Sequence, residues 1–279
     1  MAASDPEIIK KMEKYVKCDF KVPVEEADYG ECSVVAIQAI EEIIDEAIKS
    51  GRNKIFINTN LKLGLPMENI NKVAGPFVEA WAAEIFTEIS TQENRWKLIN
   101  VETKERLYMA DVILQFKKQR NGVESAITAE VDVKATAEDI KESGKSPNIT
   151  SYERIRSAYI DDPDYLFVIL SLKHRVYSTH DPVTKMMNGI MEVVAHRAYD
   201  LKFISDPDLS YNPALGHGQI QIRDIHYIDI VKRTTWEFCQ LLDKKYLNSS
   251  RRTFENWLSM ATAGEWIKNE DTETLYTSR

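Results

Sequence analysis

The sequence lacks most of the features that settle a function at sight. Its three cysteines, Cys18, Cys32 and Cys239, lie far apart in 279 residues and in no metal-like spacing, which argues for reduced thiols rather than a disulfide framework or a zinc site. No apolar run approaches the ~20 residues needed to cross a bilayer, and the opening MAASDPEIIKK is polar, so neither signal peptide nor membrane helix is expected and the expected location is cytoplasmic. There is no excess of positive charge either. Thirty-six basic residues against 44 acidic ones give a net charge of -8, which argues against a protein that merely coats nucleic acid while leaving room for a local basic cleft. Short basic groups at 117 to 120, 173 to 175 and 251 to 252 read as solvated surface. The five histidines form no HxxxH pair and receive neither a metal nor a nucleophilic role.

What is present is an ordinary globular composition, 43% hydrophobic with a mean hydropathy of -0.37, and no repeat or low-complexity linker. A single domain over residues 1–279 is the expectation, with an N-terminal helical part to about residue 70 and a frayed tail at 269–279. Apolar residues at 3- and 4-residue spacing predict a helix over 33–50, capped by Ser33 and stopped by Gly51. NKIFIN predicts a short strand. A second helix is expected over 74–90, with Pro76 in its first turn. Further on, 151–160 predicts a helix, DYLFVILSLKHRVY an apolar strand, and 183–203 a helix; QIQIRDIHYIDI alternates like a strand, and helices follow near 234–247 and 252–268. Strands interleaved with helices predict an α/β fold.

The most informative segment is RLYMADVILQFKKQRNGVESAITAEVDVKAT. Asn121-Gly122 is the dipeptide best suited to a two-residue type I′ hairpin turn. Past the turn, positions 127 to 135 put Ile, Ala, Val, Val and Ala on one strand face and Thr128, Glu130, Asp132, Lys134 and Thr136 on the other. Carried back from that turn, the hairpin register sets Asp111 opposite Asp132. Carboxylates facing each other across a ladder repel unless a positive group lies between them. A divalent ion fits that place: Mg²⁺ takes one or two carboxylates and leaves its other positions to water and phosphate. With a lysine alongside, this is the chemistry of phosphodiester hydrolysis. Acid-x-Lys alone says little, because it recurs at Glu102, Asp139, Asp200 and Asp243; the strand, its apolar reverse face and the opposed Asp111 distinguish Asp132-Val133-Lys134.

These residues resemble the PD-(D/E)xK nuclease superfamily and, more narrowly, type II restriction endonucleases of the HincII kind, with EcoRV more distant. AGPFVEAWAAEIF, ADVIL, DVKA followed by PNITSY, and QIQIRD carry the likeness, scattered over 74 to 224. The motif's proline is Ala110 here; the literal Pro163-Asp164 follows the lysine and reads as a turn into a buried strand. The resemblance implies a restriction-endonuclease-like mixed central β-sheet flanked by α-helices. It implies a Mg²⁺-dependent enzyme of a prokaryotic restriction-modification system, cutting double-stranded DNA at a specific, palindromic sequence as a homodimer. Asp111, Asp132 and the carbonyl of Val133 would then ligate Mg²⁺ and Lys134 would orient or activate water. Glu79 would be either a further acid of the site or a helix-surface charge, and a part for Glu130 is left open. DNA contacts would fall to Lys145, Asn148, Thr150, Ser151 and Tyr152, and to Gln219 and Gln221. A structure-specific repair or recombination nuclease of the same fold and a non-catalytic assembly protein are the competing readings.

Overall fold

The computed structural model describes residues 6–58, 62–64, 70–104, 108–120, 123–214 and 216–268; the Asn121-Gly122 turn and the tail beyond 268 lie outside them. The first elements are helix α1 (Pro6–Tyr15), helix α2 (Tyr29–Lys49), strand β1 (Lys54–Ile57) and helix α3 (Ala74–Ser90). Strands β2 (Leu98–Thr103), β3 (Val112–Arg120), β4 (Val123–Ala137) and β5 (Asn148–Ser151) lead to helix α4 (Tyr152–Asp161). Then come β6 (Leu166–His180), β7 (Met187–Asp200), β8 (Leu209–Asn212), β9 (Gln219–Ile222), and helices α5 (Thr235–Leu247) and α6 (Phe254–Ala263).

Six strands form a mixed sheet in the order β1-β7-β6-β4-β3-β2, in which only β4 and β6 pair in parallel; β5, β9 and β8 form a second, smaller sheet. The β4 to β6 crossover passes through β5 and α4, the connection a parallel pair requires. Alternation along β4 and β6 then sorts the core into two layers. Val131, Val133, Val168 and Leu170 join residues of α2 and α3 such as Ile40, Ile44, Val78 and Phe86 on one face. Phe167 and Ile169 join Ile155, Phe238, Leu242 and Trp257, with Ile220 and Ile222 of the small sheet, on the other.

The hairpin register is the one the turn dipeptide dictates: Arg120 pairs with Val123 and the ladder runs to Val112 with Val131. Two expectations are corrected. Ser33 is not a helix cap; α2 begins a turn earlier, and the Ser33 hydroxyl donates to the buried Asp200 carboxylate at 2.8 Å. The helix expected over 183–203 is instead β7, followed by a single 3₁₀ turn. Its Met, Glu and Ala residues favour a helix locally, but pairing with β6 on one side and β1 on the other overrides that preference. Pro163-Asp164 forms the turn into β6, with the Asp164 N–H donating to Asp162 Oδ1 at 2.9 Å.

The second core layer is closed by one fully buried ion pair. Arg156 of α4 donates to Asp243 of α5 at 3.2 Å, and the same carboxylate accepts from Tyr152 at 2.6 Å, Tyr15 at 2.9 Å and Trp257 Nε1 at 3.3 Å. Breaking such a pair from one side leaves a charge in an apolar medium. Asp243→Ala is expected to lower stability by about 3–5 kcal/mol, and Tyr15→Phe by only about 1 kcal/mol. Urea denaturation of the two variants measures the difference; equal costs would contradict the role given to the charge.

Candidate active site

Asp132 sits at the middle of the central strand, paired in parallel with Ile169 and on the same face as it. Its side chain is therefore set among apolar neighbours, and the residue is only 4% exposed. Lys134, two residues on along the same face, donates to Asp132 Oδ1 at 2.8 Å. The second oxygen, Oδ2, is buried and has no hydrogen-bond partner. A buried carboxylate oxygen without a donor is costly. Burial pushes the Asp132 pKa up to about 7; Lys134 opposes the rise, while Asp111 and Glu79 add to it.

Asp111 stands one residue beyond the β3–β4 ladder, at the continuation of its register. Its own N–H donates to the Val131 carbonyl at 3.0 Å, and its Oδ2 accepts the Val133 N–H at 2.7 Å. The side chain is thus latched onto the residue between Asp132 and Lys134. Burial raises its pKa too, against the Val133 N–H and Lys134. Glu79, on the second turn of α3, is half-buried, and its carboxyl is raised by burial and by Asp111. Its Oε1 lies 3.4 Å from the position a Cβ on Gly75 would occupy. The fold therefore gathers Asp111, Asp132, Lys134 and Glu79 into one electrostatic cluster. Glu130 is different: its two oxygens accept from Tyr108 at 2.9 Å and Tyr165 at 2.6 Å. Among the described residues no three His, Cys, Asp or Glu side chains are gathered closely enough to enclose a metal by themselves.

A second polar surface lies on the small sheet. Asn148, Gln221 and Ser210 stand in one row across the three strands, and Ser151, Gln219 and Asn212 in another. This face carries amides and hydroxyls but no charge, while Ile149, Ile220, Ile222 and Leu209 fill the core behind it. Gln221 Nε2 donates to Asn148 Oδ1 at 2.9 Å and to the Ser146 carbonyl at 3.0 Å. Lys145 is exposed and paired with Glu142 at 3.0 Å. Two residues expected to meet DNA turn inward. Thr150 is buried, and Tyr152 is fully buried with its hydroxyl on Asp243. A bulge between Asn148 and Thr150 and the start of α4 aim both at the core. Ser210 and Asn212 escaped the sequence reading, although DLSYN alternates with Leu209 and Tyr211 on the other face.

With both surfaces defined, comparison with known proteins decides the class. Residues 16–265 match the type II restriction endonuclease HpaI family. The chain belongs to that family. It is 54% identical over 257 residues, 92% of this chain and the whole of the relative, to the type II restriction enzyme HpaI of Haemophilus parainfluenzae. The expected fold class, a mixed sheet flanked by helices, and the expected class of enzyme, a site-specific deoxyribonuclease acting on double-stranded DNA, both stand. The reading as a non-catalytic assembly protein is set aside. No helix among the described residues is long and apolar enough to cross a membrane.

The geometry carries a pH consequence in metal-free buffer. With its folded value raised from 3.8 to about 7, Asp132 keeps its proton in the folded chain after the unfolded chain has lost it, so the contribution of this group to stability falls as pH rises through that window. The loss has an upper bound on the order of 4 kcal/mol. Asp132→Asn, which stays neutral, is expected to flatten the decline between pH 4 and 7 measured by urea denaturation in EDTA. An unchanged slope in the variant would assign the decline elsewhere.

Proposed function

We propose that this restriction endonuclease works with Mg²⁺ held by Asp111 and Asp132, and cuts a palindromic site as a homodimer. The observation that carries the reading is the unpartnered, buried Oδ2 of Asp132 beside the latched carboxylate of Asp111. Hard carboxylate oxygens, few in number, suit Mg²⁺, which keeps water and substrate phosphate in its remaining positions. The Val133 carbonyl is the further protein ligand in this reading. A bound Mg²⁺ would draw charge from the scissile phosphate and acidify a coordinated water.

The chain's own groups do the rest. Lys134 is fixed by its hydrogen bond to Asp132, so its ammonium is held beside the place a phosphate must reach, where it stabilises negative charge and orients water. Glu79 approaches from α3, its carboxyl raised by burial and by Asp111, and a carboxylate in that place can accept or relay a proton. The metal site cannot read bases. That task falls to hydrogen-bonding groups that match base edges, and the uncharged face of Asn148, Gln221, Ser151 and Gln219, extended by Ser210 and Asn212, supplies them. Lys145 at its border serves the phosphates. One acid cluster per chain, set against two antiparallel strands, favours a two-fold pair of chains on a palindrome.

Asp111→Ala, Asp132→Ala and Lys134→Ala are each expected to abolish plasmid cleavage in Mg²⁺ while leaving specific binding largely intact. Substantial cleavage by any of them would remove that residue from the mechanism. Ca²⁺ added to EDTA-treated protein is expected to tighten specific binding by screening the two carboxylates from the phosphate. The same addition should do much less in Asp132→Ala, as followed by fluorescence anisotropy on a duplex bearing the site mapped by digestion. Equal gains in both proteins would contradict a shared metal site. Light scattering of the protein on that duplex should give the mass of two chains; a single chain would count against the dimer.

A further inference from the structure

Asp111 has a weakness that Asp132 lacks. It precedes the first residue of β3, so the regular ladder does not hold it. Three contacts do: its N–H on the Val131 carbonyl, its carbonyl accepting the Lys104 N–H at 3.1 Å, and its carboxylate on the Val133 N–H. Two of the three reach β4, at Val131 and Val133, and buried Ala110 adds packing from the residue before. Beyond Ala110 the chain turns outward, and one side chain there reaches back to β4.

Tyr108, three residues before Asp111, reaches across to Glu130, two residues before Asp132 and on the same strand face, and donates to its Oε1 at 2.9 Å. Tyr165, at the entrance to β6, donates to Oε2 at 2.6 Å. Its ring packs edge-on against the buried Tyr159, 5.4 Å between centroids, and lies 6.1 Å from Phe167. Tyr165 therefore fixes Glu130 from the core side, and the free oxygen is left aimed at the half-exposed Tyr108. Lys104, whose N–H holds the Asp111 carbonyl, places its ammonium 5.1 Å from the Tyr108 ring centroid. We propose that Glu130 is a positioning residue: with Tyr165 behind it and Tyr108 in front, it clasps the segment carrying Asp111 onto β4 and sets the spacing of the two metal-binding acids. The clasp rests on the reading of Asp111 and Asp132 as a shared metal site. Each oxygen of Glu130 accepts a hydrogen bond from a phenol, so the carboxylate is oriented from both sides.

The test uses the full-length protein with Tyr108→Phe, which removes only a hydroxyl at an exposed position, and Glu130→Gln. The quantity read is the Ca²⁺ concentration that half-maximally tightens binding to a duplex carrying the mapped site. Partners that orient a ligand typically contribute tenfold or more to metal affinity, so both variants are expected to need roughly tenfold more Ca²⁺ than wild type. They should match wild type in melting temperature and in affinity for a random-sequence duplex in EDTA. Their lowered kcat at limiting Mg²⁺ should recover as Mg²⁺ is raised. An unchanged Ca²⁺ midpoint in Tyr108→Phe overturns the clasp, whatever becomes of the fold in Glu130→Gln. Weaker EDTA binding with an unchanged midpoint does so as well, and makes Tyr108 a DNA contact. A wild type indifferent to Ca²⁺ overturns the metal site and the clasp together.

Discussion

A carboxylate held in the middle of a central strand, with one oxygen satisfied and the other bare, is the constraint around which this protein is arranged. Asp132 is where it is because β4 pairs in parallel with β6, and that pairing places Ile169 beside it and apolar layers on both faces of the sheet. Interiors do not tolerate such a group without a reason. Lys134 answers half the demand and the Asp111 carboxylate adds to the strain. Strain of this kind concentrates where a fold does chemistry. In an enzyme that must bring a phosphodiester and a divalent ion together, a site that is unfavourable when empty is a site prepared for positive charge.

In the proposed reading the two polar surfaces divide the labour of a restriction enzyme, and the chain links them directly. The chain leaves the acid cluster at the end of β4, runs through the amide-bearing β5 and enters α4, whose buried Arg156 is fixed on Asp243. From α4 it returns to β6, the parallel neighbour of the strand that carries Asp132. A shift in β5 or β9 on meeting a base edge would thus be felt through a helix anchored in a rigid core rather than through a slack loop. The net charge of -8 fits this plan. With so little general attraction for DNA, the proposed reading gives the task of holding it to the few polar and basic groups at the small sheet and to positive charge at the acids.

How much of this could be read from the sequence varies with the range of the interactions. The hairpin was legible because its determinants are local: a two-residue turn, then strict alternation from Ile127 to Ala135, which together set the register that brings Asp111 to Asp132. The helices expected over 33–50 and 74–90 were legible from periodicity, although the first begins a turn earlier, at Tyr29. Strand β7 was not, because residues that favour a helix in isolation are held extended by pairing with β6 and β1, the latter well over a hundred residues earlier in sequence. Tyr152 was misplaced for a related reason. PNITSY reads as an exposed polar loop, yet a one-residue bulge in β5 and the onset of α4 turn Thr150 and Tyr152 inward, and only the partner carboxylate of Asp243 shows why a tyrosine belongs there. The same pairing of β5 with β9 and β8 exposes Ser210 and Asn212, which no local pattern connects to Asn148.

With its value raised to about 7, Asp132 is expected to hold a proton near neutral pH until a divalent cation displaces it. Calorimetric titration of Ca²⁺, used in place of Mg²⁺ so that the duplex is not cut, into the metal-free protein bound to its duplex, repeated in buffers of different ionisation enthalpy, counts the protons released per ion bound. For a carboxyl near 7, release is expected to approach one proton at about pH 6 and to fall toward zero by about pH 8. In Asp132→Asn the pH-dependent release should vanish. A release that is negligible at pH 6, or that persists in the variant, would mean that the cation does not displace a proton from Asp132.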